Sequence, residues 1–238
     1  MNNTLFQLSE LSFSFPDPRL ALNDPDGLLA IGGDLAPERL VNAYQNGIFP
    51  WFNEDDPLMW WSPKERAIIE LDEFHISRSM KKFQRKHTFT VSVNQAFSKV
   101  MFACQQQRID TQGTWITNEM EEAYNRLHEL GVAHSVEIWF EQQLVGGLYG
   151  VMQRHVFCGE SMFHTMANTS KLASWALVNW LKRHNGAFID CQIMNPYLES
   201  LGAKAISRNA FLNKLHQPWP KIDLATMWQP QTLDDIYD

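Results

Sequence analysis

The chain has 238 residues, 45% hydrophobic and 20% charged, with 12 glycines and 11 prolines. These proportions exclude collagen-like, low-complexity and wholly disordered chains, and a chain of this length buries roughly 70–75% of its unfolded surface without metal or disulfide staples. A formal net charge of -7 excludes a protein basic all over, but not a local basic patch that meets nucleic acid.

The opening MNNTLFQLSELSFSFPDP has no basic stretch leading into an apolar run, and no uncharged apolar stretch reaches the ~18 residues of a membrane helix. A cytoplasmic protein with no membrane partner is expected. Next, GLLAIGGDLAPERLVNAYQNG predicts a short strand, a glycine turn and a helix, with Pro37 in the first helical turn and Gly47 left-handed after the last. An aromatic cluster follows, Phe49, Trp51 and Phe52 and then Trp60 and Trp61. The turn chemistry of Trp60–Lys64 predicts a boundary between a small N-terminal α/β domain, residues 1–64, and a larger domain, residues 65–238.

In the larger part, SRSMKKFQRKH predicts a helix capped by Ser77 or Ser79, followed by a strand over Thr88–Val93. Asn94 is expected to cap AFSKVMFACQ, whose apolar residues follow helical spacing, and Asn118–Leu130 repeats that pattern until Gly131. Ser135–Phe140, Leu144–Met152 and Val156–Glu160 predict three strands whose short connections imply an antiparallel meander. A long helix over Ser170–His184, a strand over Ala187–Ile193 and a helix opened by Asn195-Pro196 complete the pattern. The fold class is α+β, a mixed, largely antiparallel sheet, and the element order is similar to that of GCN5-related acyltransferases. Likeness of fold does not fix function.

In Phe188–Ile193, alternation places Asp190 and Gln192 on one face and Ile189, Cys191 and Ile193 on the other. An acid and an amide in an apolar strand need partners. They are either a satisfied structural pair or, with Asn195 just beyond, the lining of a cleft. Glu160 ends an apolar strand beside a glycine; Gly146, Gly147 and Gly150 lie inside a strand, where a bulge or a close ligand would need the room. Trp115 stands on a turn entering a helix. Arg78, Lys81, Lys82, Arg85 and Lys86 are the densest basic run, either solvated surface or a contact to phosphates. Cys104, Cys158 and Cys191 are odd in number and far apart, unlike a disulfide framework. With neither a CxxC pair nor an HExxH helix, no bound metal is expected.

The colinear segments GLLAIGGDL, AYQNGIFPWF, WWSPKERAII, HISRSMKKF, GTWIT, EAYNRLHELGVAHSVEIW, LVGGLYGV, FCGESMF, IDCQIMN and SLGA resemble the bacterial leucyl/phenylalanyl-tRNA–protein transferases over nearly the whole chain. The resemblance implies transfer of Leu, Phe and, less readily, Met from aminoacyl-tRNA to proteins beginning with Arg or Lys, marking them for degradation by the N-end rule, with neither CoA nor a metal as cofactor; a monomer is expected. It implies that Asp190 and Gln192 activate the attacking amine, that Glu160 with Asn195 meets the acceptor, and that Trp51 and Trp115 hold the terminal adenosine of the tRNA. Tyr124, Leu148, Phe157, Met162 and Leu177 would then form the amino-acid pocket, with the five basic residues on the tRNA backbone. Under this reading the Gln192 amide group donates to Asp190, which is either the base or a group that orients Gln192, while the Gln192 oxygen accepts from the amine. Three rivals remain: a CoA-dependent N-acetyltransferase, for which no pyrophosphate loop follows the meander; a non-catalytic tRNA-binding module; and Cys191 as a nucleophile.

Overall fold

A computed structural model describes residues 4–112 and 116–237, with the side chains of 108–112 left undescribed. The chain opens with β1 (Phe6–Leu8), β2 (Leu28–Gly32), α1 (Pro37–Gln45), β3 (Phe49–Pro50) and β4 (Met59–Trp61), which form a four-stranded sheet in the order β1-β2-β4-β3. Pro37 sits in the first turn of α1, and Gly47, at φ 70°, carries the chain out of the helix toward β3, as expected. Trp60 and Trp61 belong to β4 rather than to a turn, so the turn is confined to Ser62–Lys64.

The large sheet begins immediately afterwards. Its members are β5 (Glu65–Glu70), then, after α2 (Arg78–Lys86), β6 (Thr90–Val93), and, after α3 (Phe97–Gln112) and α4 (Asn118–Glu129), the meander β7 (Ala133–Phe140), β8 (Gln143–Gln153) and β9 (Val156–His164). Next come α5 (Thr169–Arg183), β10 (Phe188–Gln192), α6 (Pro196–Ser200), β11 (Lys204–Ser207), α7 (Arg208–Leu215), α8 (Leu224–Met227) and β12 (Gln231–Thr232). The strand order is β11-β5-β10-β9-β8-β7-β6-β12, and β9–β10 is its parallel pair. From β6 to α6 the elements follow in the order expected from the sequence.

Ser77 caps α2 by accepting from the Met80 N–H at 3.2 Å, a contact worth about 1 kcal/mol. Asn94 is not the cap of α3. It sits at φ 56°, and its side chain instead accepts from the Ser135 N–H and donates to the Trp228 carbonyl. Two apolar clusters cover the two faces of the sheet. One joins the N-terminal sheet, α1, α3 and α4 through Trp60, Tyr44, Phe97 and Tyr124; the other joins α5 to the C-terminal segment through Leu172, Leu177, Trp180 and Trp228. No helix among the described residues is long and apolar enough to cross a membrane.

Candidate active site at the splayed strands

Two bulges face each other where β9 and β10 part. In β8–β9, Gly150 pairs Gly159 and Tyr149 pairs Ser161, which leaves Glu160 as the extra residue. Glycine is required on the opposite strand, because a Cβ at Gly150 would stand 2.2 Å from the Cys158 carbonyl oxygen. In β5–β10, Asp190 pairs Ile68 and Gln192 pairs Ala67, so Cys191 is the extra residue, and Gln192 turns into the left-handed region at φ 56°. Bulges re-aim side chains and end pairing. Here they bring Glu160 and Gln192 within a hydrogen bond, Gln192 Nε2 donating to Glu160 Oε1 at 3.0 Å.

A cavity of about 290 Å³ opens beside this contact. Its wall is apolar, with Leu148, Phe157, Met162, Leu177 and Ile189 from the sheet and α5, while Trp51 and Asn195 stand among its other lining residues. Trp51 is 43% exposed and packs edge-on to Trp61, which fixes a flat ring at the protein surface. Leu148, Phe157, Met162 and Leu177 therefore come together as expected. Tyr124 does not line the cavity: it lies wholly buried on the other cluster, and only its hydroxyl reaches the site, donating to Glu160 Oε2 at 3.3 Å. The Asn195 oxygen accepts from the Leu198 N–H and so caps α6, which leaves its amide nitrogen for a ligand. Trp115 lies outside the described residues.

The largest departure concerns Asp190. Its side chain is sealed, and it does not receive the Gln192 side-chain amide; Oδ1 instead accepts the Gln192 backbone N–H at 3.0 Å. Both carboxylate oxygens are held by Arg66, at 2.8 Å from Nε and 2.7 Å from Nη2. Strand alternation fails at the bulge, so Cys191 and Gln192 both line the cavity while Asp190 faces away from it. Asp190, sealed and paired with Arg66, is out of reach of anything in the cavity and holds the Gln192 backbone N–H instead. Cys191 shares the cavity wall, but burial pushes its thiol well above the usual range, which opposes formation of a nucleophilic thiolate.

Glu160 lies within hydrogen-bond distance of Gln192 Nε2, the Tyr124 hydroxyl and the Tyr44 hydroxyl, the last at 2.8 Å, and the two hydroxyls also contact each other; with one proton on each hydroxyl, all three contacts among these oxygens are filled only when Glu160 carries a proton. Burial raises its carboxyl to about 7, against the opposing pull of the Tyr44 hydrogen bond. Both tyrosines are themselves pushed well above their ordinary value, chiefly by burial, so they remain donors. Glu160 is thus a carboxyl group that can exchange a proton near neutrality, at the rim of an apolar hollow. Arg66 and Tyr44 were missed in the sequence. Arg66 closes the charged run Lys64-Glu65-Arg66 ahead of the apolar Ala67–Ile69, so nothing local marked it for burial. Arg78, Lys81, Lys82, Arg85 and Lys86 are all exposed, and no salt bridge engages them among the described residues.

Comparison with known proteins agrees with this architecture. A family model described as leucyl/phenylalanyl-tRNA protein transferase matches residues 68–216, and that of the family's N-terminal domain matches residues 33–64. The leucyl/phenylalanyl-tRNA–protein transferase of Pseudoalteromonas translucida is 62% identical over 100% of each chain. That of Idiomarina loihiensis is 51% identical, covering 96% of this chain and 97% of its own. The Escherichia coli protein of the same name is 53% identical over 90% of each. With the family matched across most of its length and relatives aligned end to end, the chain belongs to the leucyl/phenylalanyl-tRNA–protein transferases and is an aminoacyltransferase.

Proposed function

We propose that the chain moves Leu, Phe or Met from aminoacyl-tRNA to the α-amine of proteins beginning with Arg or Lys, so creating an N-degron. The observation that carries this reading is the apolar cavity of about 290 Å³ with the Glu160–Gln192 contact at its side and Trp51 beside it. The cavity takes the amino-acid side chain, and its wall of Leu148, Phe157, Met162 and Leu177 excludes charge while tolerating several apolar shapes. Trp51 stacks on the terminal adenosine, with Trp115 as a second ring, and the exposed cations of α2 meet the tRNA backbone. In this reading residues 1–64 form a small domain that contributes Trp51, and residues 65–238 carry the chemistry.

Aminolysis of the aminoacyl ester is downhill, so the enzyme's main task is alignment, worth up to about 7–11 kcal/mol in well-oriented systems. The amine nitrogen bonds to the ester carbonyl carbon, the bond from that carbon to the ribose oxygen breaks, and a proton from the amine ends on the ribose oxygen. An unperturbed α-amine has a pKa of about 7.7–8.0 and arrives mostly protonated at neutral pH. Its extra proton goes to solvent or to Glu160. Because the Gln192 amide nitrogen is engaged by Glu160, its carbonyl oxygen is left as the acceptor for an N–H of the nucleophile. Ionised Glu160 and the acidity of the chain favour a cationic first residue, with the Asn195 amide as a neutral contact.

Incubation with Phe-tRNA and peptides that begin with Arg, Lys or Ala tests the reading. Phe-extended product with Arg and Lys alone is expected. Equal product with Ala, or none with any peptide, would contradict it.

A further inference from the structure

Arg66 occupies the second position of β5, just after the turn that leaves the N-terminal sheet, and is 1% exposed. Besides its two bonds to Asp190, its Nη1 donates to the Gly47 carbonyl at 3.1 Å. Its guanidinium lies between two rings, 4.7 Å from that of Phe49 and 4.6 Å from that of Phe211. Each of its three nitrogens therefore donates a hydrogen bond, and two aromatic rings pack against it. Stability is a poor reason for such a site. Stripping two ions of water costs several kcal/mol each, and apolar residues of equal volume are often as stable.

An apolar pair could not accept the Gln192 N–H. Gln192 stands in a backbone region that non-glycine residues rarely adopt, at a cost of about 1–2 kcal/mol, and needs an external anchor to stay there. Asp190 Oδ1 is that anchor, and Arg66 fixes the carboxylate from both oxygens. The chain of contacts runs Arg66, Asp190, Gln192 backbone, Gln192 side chain, Glu160.

We infer that Arg66 is a positioning residue for acyl transfer: through Asp190 it holds Gln192 in the conformation that presents its amide at the cavity. The same guanidinium also donates to the Gly47 carbonyl and packs against Phe49, contacts that hold it in place beneath β10. This rests on the reading of Gln192 as the group that meets the amine.

The test measures single-turnover transfer from Phe-tRNA to an Arg-initiated peptide, donor affinity and melting temperature for wild type, Arg66→Lys, Arg66→Met and Arg66→Met/Asp190→Leu. A misplacement of about 1 Å costs on the order of 100-fold in rate. Arg66→Met is expected to lose about that factor with donor affinity unchanged. Arg66→Lys keeps the charge without the fork and falls between. The double variant removes both buried charges, so its melting temperature returns toward wild type while its transfer rate stays low. A double variant that melts and transfers like wild type, or an Arg66→Met protein with full rate, overturns the assignment. Should neither Met-containing variant fold, Arg66→Lys decides: a wild-type rate contradicts the proposal, and a lowered rate at unchanged donor affinity supports it. Wild-type protein that transfers to no Arg peptide overturns the functional reading and this inference together.

Discussion

A carboxyl group buried beside two tyrosine hydroxyls and an amide is pulled two ways, and for Glu160 burial wins, raising it to about 7 from 4.5. The folded protein therefore holds a proton there that the unfolded chain releases between those values. Stability from this group is present below pH 4.5 and is lost as pH rises through about 7. Glu160→Gln should gain stability relative to wild type as pH rises across that window and hold a constant difference above it, as read by urea unfolding at several pH values. A difference independent of pH would contradict the assignment. Glu160 and Gln192 were both legible as candidates, one beside a glycine and the other in an apolar strand, although Glu160 does not end its strand as expected but sits at a bulge inside β9, which runs on to His164. Their partners were not: Asp190 was paired by alternation with the Gln192 amide, whereas the bulge at Cys191 turns the two apart and gives Asp190 to Arg66. A bulge depends on the neighbouring strand, and β5 lies more than a hundred residues earlier in the chain.

Helix α2 presents five cations to solvent, with Met80 as its buried contact and Ser77 as its cap. Exposed charges of this kind contribute little to stability but release counterions when they meet phosphates. Replacing Lys81, Lys82 and Arg85 by Glu should weaken tRNA binding and lower the slope of log K against log salt by roughly 2–3, at ~0.7–0.9 for each phosphate no longer neutralised. An unchanged slope would make the helix plain surface. The helices and the meander were readable because their signals are local: caps, helical spacing, Gly131 and the turns at residues 141–142 and 154–155. Strand β5 gave no such signal, since the short apolar run Ala67–Ile69 fits a helix or a strand equally and its two partner strands come from far along the chain.

The segment after His216 lies beyond the matched family region, carries no motif, and yet closes the molecule. Strand β12 pairs with β6 and covers that edge of the large sheet, and Trp228 stacks on the His134 ring at 4.3 Å. Asn179 donates to the Ile236 carbonyl, and the Tyr237 hydroxyl donates to that of Leu172, tying the end of the chain to α5. Covering an edge removes a template for unwanted strand pairing. Trp228→Ala should cost about 3–5 kcal/mol in urea unfolding, as large-to-small changes in cores do, and a loss under about 1 kcal/mol would show that the segment adds little. The spacing of Leu224, Met227, Trp228, Leu233 and Ile236 was the available sign of a packed segment, but short elements separated by turns do not build a periodic pattern.

The claim on which the functional account turns is that acyl donor and acceptor amine meet at the Glu160–Gln192 contact beside the apolar cavity. Single-turnover transfer from Phe-tRNA to an Arg-initiated peptide by Gln192→Ala, with donor affinity measured on the same protein, addresses it most directly. The account predicts undiminished Phe-tRNA binding with transfer slowed about 100-fold or more, the scale expected when alignment and proton handling fail. Transfer at the wild-type rate would place the chemistry elsewhere.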